Sequence, residues 1–91
     1  MSLNTAAARR DRSFHLHPST NLRAVQREGP LVIARGEGVY VYDDEGARYI
    51  EGMAGLWCAS LGFSERRLAD AAYRQMCELP FYHSFAGRVP A

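Results

Sequence analysis

The sequence predicts an α+β fold: a short N-terminal helix, a three-stranded antiparallel meander, an apolar loop and one amphipathic helix. Three observations carry that expectation. From Leu31 to Ile50, runs of β-formers alternate with glycine-bearing turns. Leu68, Ala72, Met76 and Leu79 recur at helical spacing. Between these two regions, the stretch from Glu51 to Phe63 is nearly uncharged, holds the only tryptophan, and is broken by Gly52, Gly55 and Gly62.

A chain of 91 residues allows one small domain, and such a domain buries only about 60% of its unfolded surface. The 47% hydrophobic and 11% aromatic content favours folding over disorder. A net charge of +1 gives little pull toward nucleic acid or an acidic membrane surface, so neither is an expected partner.

Residues 1–14 are small, polar and charged, and are expected to be a disordered tail, with residues 15–91 as the ordered unit. Pro18 biases His17 toward an extended backbone, and Ser19, Thr20 or Asn21 can cap a helix through Leu22, Val25 and Gln26. That helix should end before Gly29 and Pro30. Leu31 to Arg35 reads as a strand and Val39 to Tyr42 as a second. Asp43-Asp44-Glu45-Gly46 forms a tight turn with Gly46 in the left-handed position, and Ala47 to Ile50 closes the meander. Val39 and Val41 share one face of the middle strand, while Tyr40 and Tyr42 share the other.

The segment after Ile50 reads as neither strand nor helix but as a shaped, partly buried loop. Ser64 is the expected cap of a helix running to about Leu79, where Pro80 stops it. Glu65 lies in its first turn, and Asp70 and Arg74 stand at i,i+4 spacing. Phe81, Tyr82 and Phe85 then form an aromatic run whose covering surface is expected on a partner or on further chain.

Most routes to catalysis find no support in the residues. His15, His17, His83, Cys58 and Cys77 lack zinc-ligand spacing, so no metal site is expected. Gly36-Glu37-Gly38 lacks the third glycine of a dinucleotide loop, and neither Ser60 nor Ser64 has a nucleophile context. Every one of the 11 basic residues is arginine, so no lysine amine is present for a Schiff base. Cys58 and Cys77 are expected as buried thiols in a reducing compartment. No secretory h-region or membrane-spanning run is present, and the expected location is cytoplasmic.

Several stretches, in order, carry a resemblance: His17-Pro18-Ser19-Thr20, Gly36 to Asp43, Tyr49-Ile50-Glu51-Gly52, Gly55-Leu56-Trp57-Cys58 with Leu61-Gly62-Phe63, and Leu79 to Phe85. From about His15 to Ala91 the chain resembles the N-terminal part of class III aminotransferases, the pyridoxal-phosphate enzymes that include the ω-transaminases. The resemblance implies that the meander belongs to the small domain of a type I pyridoxal-phosphate fold. It implies a homodimer that moves an amino group from an amine or amino acid to a keto acid.

By the same resemblance, Leu56 and Trp57 line the substrate pocket, and Phe85 and Ala86 shape its smaller side near the subunit interface. The Schiff-base lysine, the carboxylate opposite the pyridine nitrogen and the phosphate-binding loops belong to parts of the family outside this stretch. Pyridoxal 5'-phosphate is therefore expected only in the full-length enzyme, and this chain alone is expected to be inactive, with no catalytic or cofactor-binding residue of its own. Two other readings stand beside this one. One is a truncated, non-catalytic interaction protein that docks through its apolar loop and aromatic tail. The other is a small autonomous ligand-binding domain using Trp57 and Phe85.

Overall fold

Three alanines in a row, the best helix formers, follow a threonine near the N-terminus. In the computed structural model, which describes residues 4–91, α1 spans Ala6–Phe14. The Thr5 hydroxyl accepts from the Ala8 amide at 3.2 Å, satisfying one of the amides a helix start leaves open. At the other end the His15 amide donates to the Asp11 carbonyl at 2.9 Å. The expectation of disorder through residue 14 thus gives way to a capped helix over Ala6–Phe14; its part on residues 1–3 lies outside the described residues. Helix α2 (Leu22–Glu28) follows the sequence pattern, with Asn21 as its cap and Gly29 ending it at φ 85°.

The sheet has the order β1-β2-β3, with β1 at Ile33–Glu37, β2 at Tyr40–Asp43 and β3 at Arg48–Ile50. Both pairings are antiparallel, with Val41 opposite Gly36 on one side and Tyr49 on the other. The first strand starts two residues later than its β-formers suggest, and its register shifts between Ile33 and Arg35. On the tyrosine face of β2, arginines complete the packing. The Arg35 guanidinium lies 3.4 Å from the centre of the Tyr42 ring, and that of Arg48 lies 4.6 Å from the Tyr40 ring. Each such contact contributes about 0.5–1 kcal/mol at an exposed site. Val41, on the other face, is 5% exposed.

Asp43 organises the hairpin between β2 and β3. Its Oδ1 accepts from the amides of Glu45 and Ala47 at 3.1 and 2.8 Å, and its Oδ2 accepts from the Tyr49 hydroxyl at 2.9 Å. Gly46 takes φ 92°, the left-handed position expected of it. Asp43 is only 8% exposed. Burial works against its ionisation, but the Tyr49 hydroxyl and the amides of Ala47, Glu45 and Gly46 outweigh it and lower the carboxyl pKa below its ordinary value. Tyr49 is raised in turn, first by its bond to Asp43, then by burial and by the charges of Asp43 and Glu45.

Helix α4 spans Arg66–Glu78, and Glu65 rather than Ser64 caps it. The Glu65 carboxylate accepts from the Arg67 amide at 3.2 Å and from its guanidinium at 2.9 Å. Ser64 is unavailable as a cap because its hydroxyl donates to the Gly36 carbonyl across the sheet. Asp70 pairs at 3.2 Å with Arg66, one turn before it, rather than with the expected Arg74, one turn after it. The apolar stripe is present, yet α4 buries none of its residues. Cys58 and Cys77 are free and exposed rather than buried.

The radius of gyration is 18.1 Å, against about 12 Å for a compact globule of this length. Among the described residues the only buried hydrophobic side chains are Ala8 and Val41. The sheet and helices therefore present faces that nothing among the described residues covers. No described helix is long and apolar enough to cross a membrane.

Two outcomes follow for the polypeptide that carries this chain. Asp43 is favoured as a carboxylate by the fold, so its stabilisation is full above the ordinary carboxylate value of about 3.9 and is lost as pH falls through its lower folded value. Asp43→Asn should lower the unfolding temperature at neutral pH and flatten its dependence across that acid range, as read by thermal melts at several pH values. Gly36→Ala places a Cβ 2.6 Å from the Cβ and Cγ of Phe63, a clash worth about 1–3 kcal/mol. Hydrogen exchange at the Gly38 and Phe63 amides should accelerate about tenfold or more, while exchange at Val41 changes far less.

Candidate functional site

The unusual loop is held by a two-way bridge. The Gly38 amide donates to the Phe63 carbonyl at 3.0 Å, and the Phe63 amide returns to the Gly38 carbonyl at 2.8 Å. Gly62, at φ 92°, lets the chain come this close, since a Cβ there would lie 3.1 Å from the Gly38 oxygen. At the loop's entry the Glu51 amide continues the sheet by donating to the Val39 carbonyl at 2.9 Å. The Glu51 carboxylate turns back onto the Met53 amide at 2.7 Å.

Between these anchors the backbone turns the wrong way for L-residues. A single helical turn, α3, spans Ala54–Trp57, with φ at 50°, 60°, 67° and 67° for Ala54, Gly55, Leu56 and Trp57. It is closed by bonds from Trp57 to Met53 at 2.8 Å and from Cys58 to Ala54 at 3.0 Å. Only Gly55 adopts such a backbone freely; each other residue costs about 1–2 kcal/mol. The segment thus contains a helical turn, but a left-handed one that composition does not signal.

The turn also exposes what it carries. Leu56 is 57% and Trp57 79% exposed, while Ala54, Ala59, Gly62 and Phe63 are half-buried, so the loop is partly buried as expected but its largest side chains fill no core in this chain. A second strained turn presents the other two residues singled out. Phe85 is 77% exposed, and Ala86, exposed beside it in the 3₁₀ turn Phe85–Gly87, has φ 54°. The Phe85 amide donates to His83 Nδ1 at 3.2 Å. His83 stacks on Tyr82 with ring centres 4.7 Å apart and lies 5.3 Å from the Phe85 ring. Tyr82, His83 and Phe85 are therefore held in a row by ring contacts, with Phe81 exposed beside them.

Two clefts lie elsewhere on the chain than at the two presenting turns. An open cleft of about 390 Å³ lies between the end of the loop and the start of α4, lined by residues 58–65 and Leu68. Another, of about 500 Å³, is lined by Gln75, Glu78, Leu79 and Ala91. Neither takes in Leu56, Trp57, Phe85 or Ala86. Asp43 and Tyr49 lie in the hairpin, and the pKa of Glu65 is lowered by the Arg67 side chain and amide. All three serve local structure: Asp43 and Tyr49 bond each other across the hairpin, and Glu65 bonds Arg67 at the start of α4.

One grouping was missed by sequence reasoning. Asp11, His15 and His17 each place a possible ligand atom within 4.8 Å of the others. The signal was a carboxylate four residues before a His-x-His pair, legible only once α1 is known to be a helix.

No protein-family model matches the chain. Relatives of known activity do. Over 74 residues it is 45% identical to a putrescine–pyruvate aminotransferase of Pseudomonas aeruginosa, covering 81% of this chain and 16% of that protein. Over 60 residues it is 61% identical to a mitochondrial gamma-aminobutyrate transaminase of Oryza sativa subsp. indica, covering 66% of this chain and 12% of that one. Among solved structures, the omega transaminase of Pseudomonas jessenii in complex with PMP superposes with a TM-score of 0.87 at 53% identity, covering 96% of this chain and 19% of its own. The thermostable (S)-enantioselective omega-transaminase of Thermomicrobium roseum gives 0.83 at 48% identity, covering 96% and 20%. This chain spans less than a fifth of the curated relatives' length. In sequence and in fold, it belongs to the class III pyridoxal-phosphate-dependent aminotransferases, as a segment of their N-terminal part.

Proposed function

We propose that this segment supplies one wall of the substrate pocket in a transaminase that moves an amino group from an amine or amino acid to a keto acid. The observation that carries the reading is the pair of left-handed turns at Ala54–Trp57 and Ala86. Strain of this kind persists only where the surrounding structure enforces it, and it clusters at functional sites. Here it holds Leu56, Trp57 and Phe85 outward on rigid backbone, with Ala86 leaving space beside Phe85. Flat aromatic walls suit the apolar group of an amine, because they offer contact area at little cost in side-chain entropy.

Relatives support the assignment. One solved variant of the Pseudomonas jessenii enzyme replaces a tryptophan by glycine. Another replaces a tryptophan, a phenylalanine and an arginine. Both were engineered for the synthesis of enantiopure bulky amines. We read Trp57, the only tryptophan of this chain, and Phe85 as the counterparts of the aromatic residues changed there.

Pyridoxal 5'-phosphate is the cofactor of the full-length enzyme under this reading. The residues of this chain do not fit it as a covalent anchor, since no lysine is present. The remainder of the aminotransferase and a second subunit of the same kind would cover the exposed faces of α4 and the aromatic stack. The enzyme would work in the cytoplasm, where Cys58 and Cys77 stay reduced.

Trp57→Gly in the active enzyme tests the reading. The ratio of kcat/KM for a bulky arylalkylamine to that for a small amine should rise by about tenfold or more, the scale expected when a pocket wall is removed. An unchanged ratio, with activity retained, would place Trp57 outside the pocket.

A further inference from the structure

We propose that Asp11, His15 and His17 form a binding site for one divalent transition-metal ion of the zinc type. The backbone sets the arrangement. Helix α1 stops at Phe14, and His15 follows it in an extended conformation, φ −109° and ψ 131°. Pro18 favours the same conformation at His17. Alternate side chains of an extended segment point the same way, and the two imidazoles meet edge-on, with ring centres 4.4 Å apart and planes at 78°.

Asp11 stands one helical turn before His15. Its carbonyl accepts the His15 amide at 2.9 Å, and its Oδ2 lies 2.8 Å from His17 Nε2. The Gln26 side chain donates to the Arg12 carbonyl at 3.0 Å, tying the segment of α2 to the last turn of α1. Two anchors thus fix the carboxylate and one imidazole, while the exposed His15 ring can swing.

One ligand atom from each residue already lies within 4.8 Å of the others. A tetrahedral ion with bonds of about 2.0–2.1 Å holds its ligand atoms about 3.3 Å apart. Asp11 and His17, hydrogen-bonded at 2.8 Å, need to part by only about 0.5 Å to take an ion in place of the shared proton, and rotation of His15 brings in the third ligand. Two imidazoles with one carboxylate select zinc, cobalt, nickel or copper over calcium and magnesium, which prefer all-oxygen sites. A fourth position is left for water. The inference does not depend on the amino-transfer reading.

The test uses the polypeptide in the longest form in which it is produced, stripped of metal. Zn²⁺ is titrated in competition with a chromogenic chelator, and Co²⁺ is followed by its visible absorption. One ion should bind per chain. His15→Ala, His17→Ala and Asp11→Asn should each weaken Zn²⁺ binding at least about tenfold, and His83→Ala should leave it unchanged. His15→Ala is the decisive variant, because the His15 ring makes only the edge-on contact with His17 and its loss spares the Asp11–His17 bond. Absence of saturable binding, or full affinity in His15→Ala, would overturn the proposal. So would full affinity in Asp11→Asn, or the native affinity persisting in denaturing urea, since a flexible His-x-His pair then accounts for the binding. In those cases Asp11 and His17 form only a bond across the end of α1.

Discussion

The reciprocal hydrogen bonds between Gly38 and Phe63 are what the rest of the molecule depends on. They join a turn of the sheet to a residue far along the chain, and they bracket the loop together with the bond from Glu51 to Val39. Ser64 adds its hydroxyl to the Gly36 carbonyl beside them. Without this clamp the left-handed turn at Ala54–Trp57 keeps its own closing bonds and its entry anchor at Glu51 but loses the anchor at its exit, and with it the enforcement of an unfavourable backbone. The clamp also decides where α4 begins, because it takes Ser64 away from the helix and leaves Glu65 to cap it. Backbone pairing, loop shape and helix start are thus one coupled arrangement.

Much of the fold was legible because it follows from local rules. Alternation and turn residues found the three strands and the hairpin, and Asn21 with Gly29 bounded α2. Other features needed contacts that no local window contains. Ser64 looks like a cap until Gly36 claims its hydroxyl, and Asp70 has an arginine at the correct spacing on either side. The left-handed turn was hidden for a stronger reason. Alanine, leucine and tryptophan all disfavour that backbone, so their presence argued against the conformation that the surrounding structure imposes.

The candidate site divides along the same line. The apolar character of the loop and of the aromatic run was plain from composition, and family resemblance named Leu56, Trp57, Phe85 and Ala86. Composition gave no hint that the positive φ at Leu56, Trp57 and Ala86 would turn both features outward. Asp11 was hidden behind an alanine- and arginine-bearing stretch that looked disordered; the Thr5 cap turns that stretch into the helix that carries it to His17.

The uncovered stripe of α4 has a consequence for how the protein is made. The meander joins neighbouring strands through short turns, so its contacts are local and it can form quickly. Leu68, Tyr73 and Met76 remain exposed even after it has formed. If this stretch is synthesised ahead of the parts that cover it, a nascent polypeptide would display a structured sheet beside an unshielded apolar helix. Such an intermediate is prone to aggregation. Its yield should then depend on how soon translation supplies the covering surface, and on chaperones able to shield an amphipathic helix in the interval.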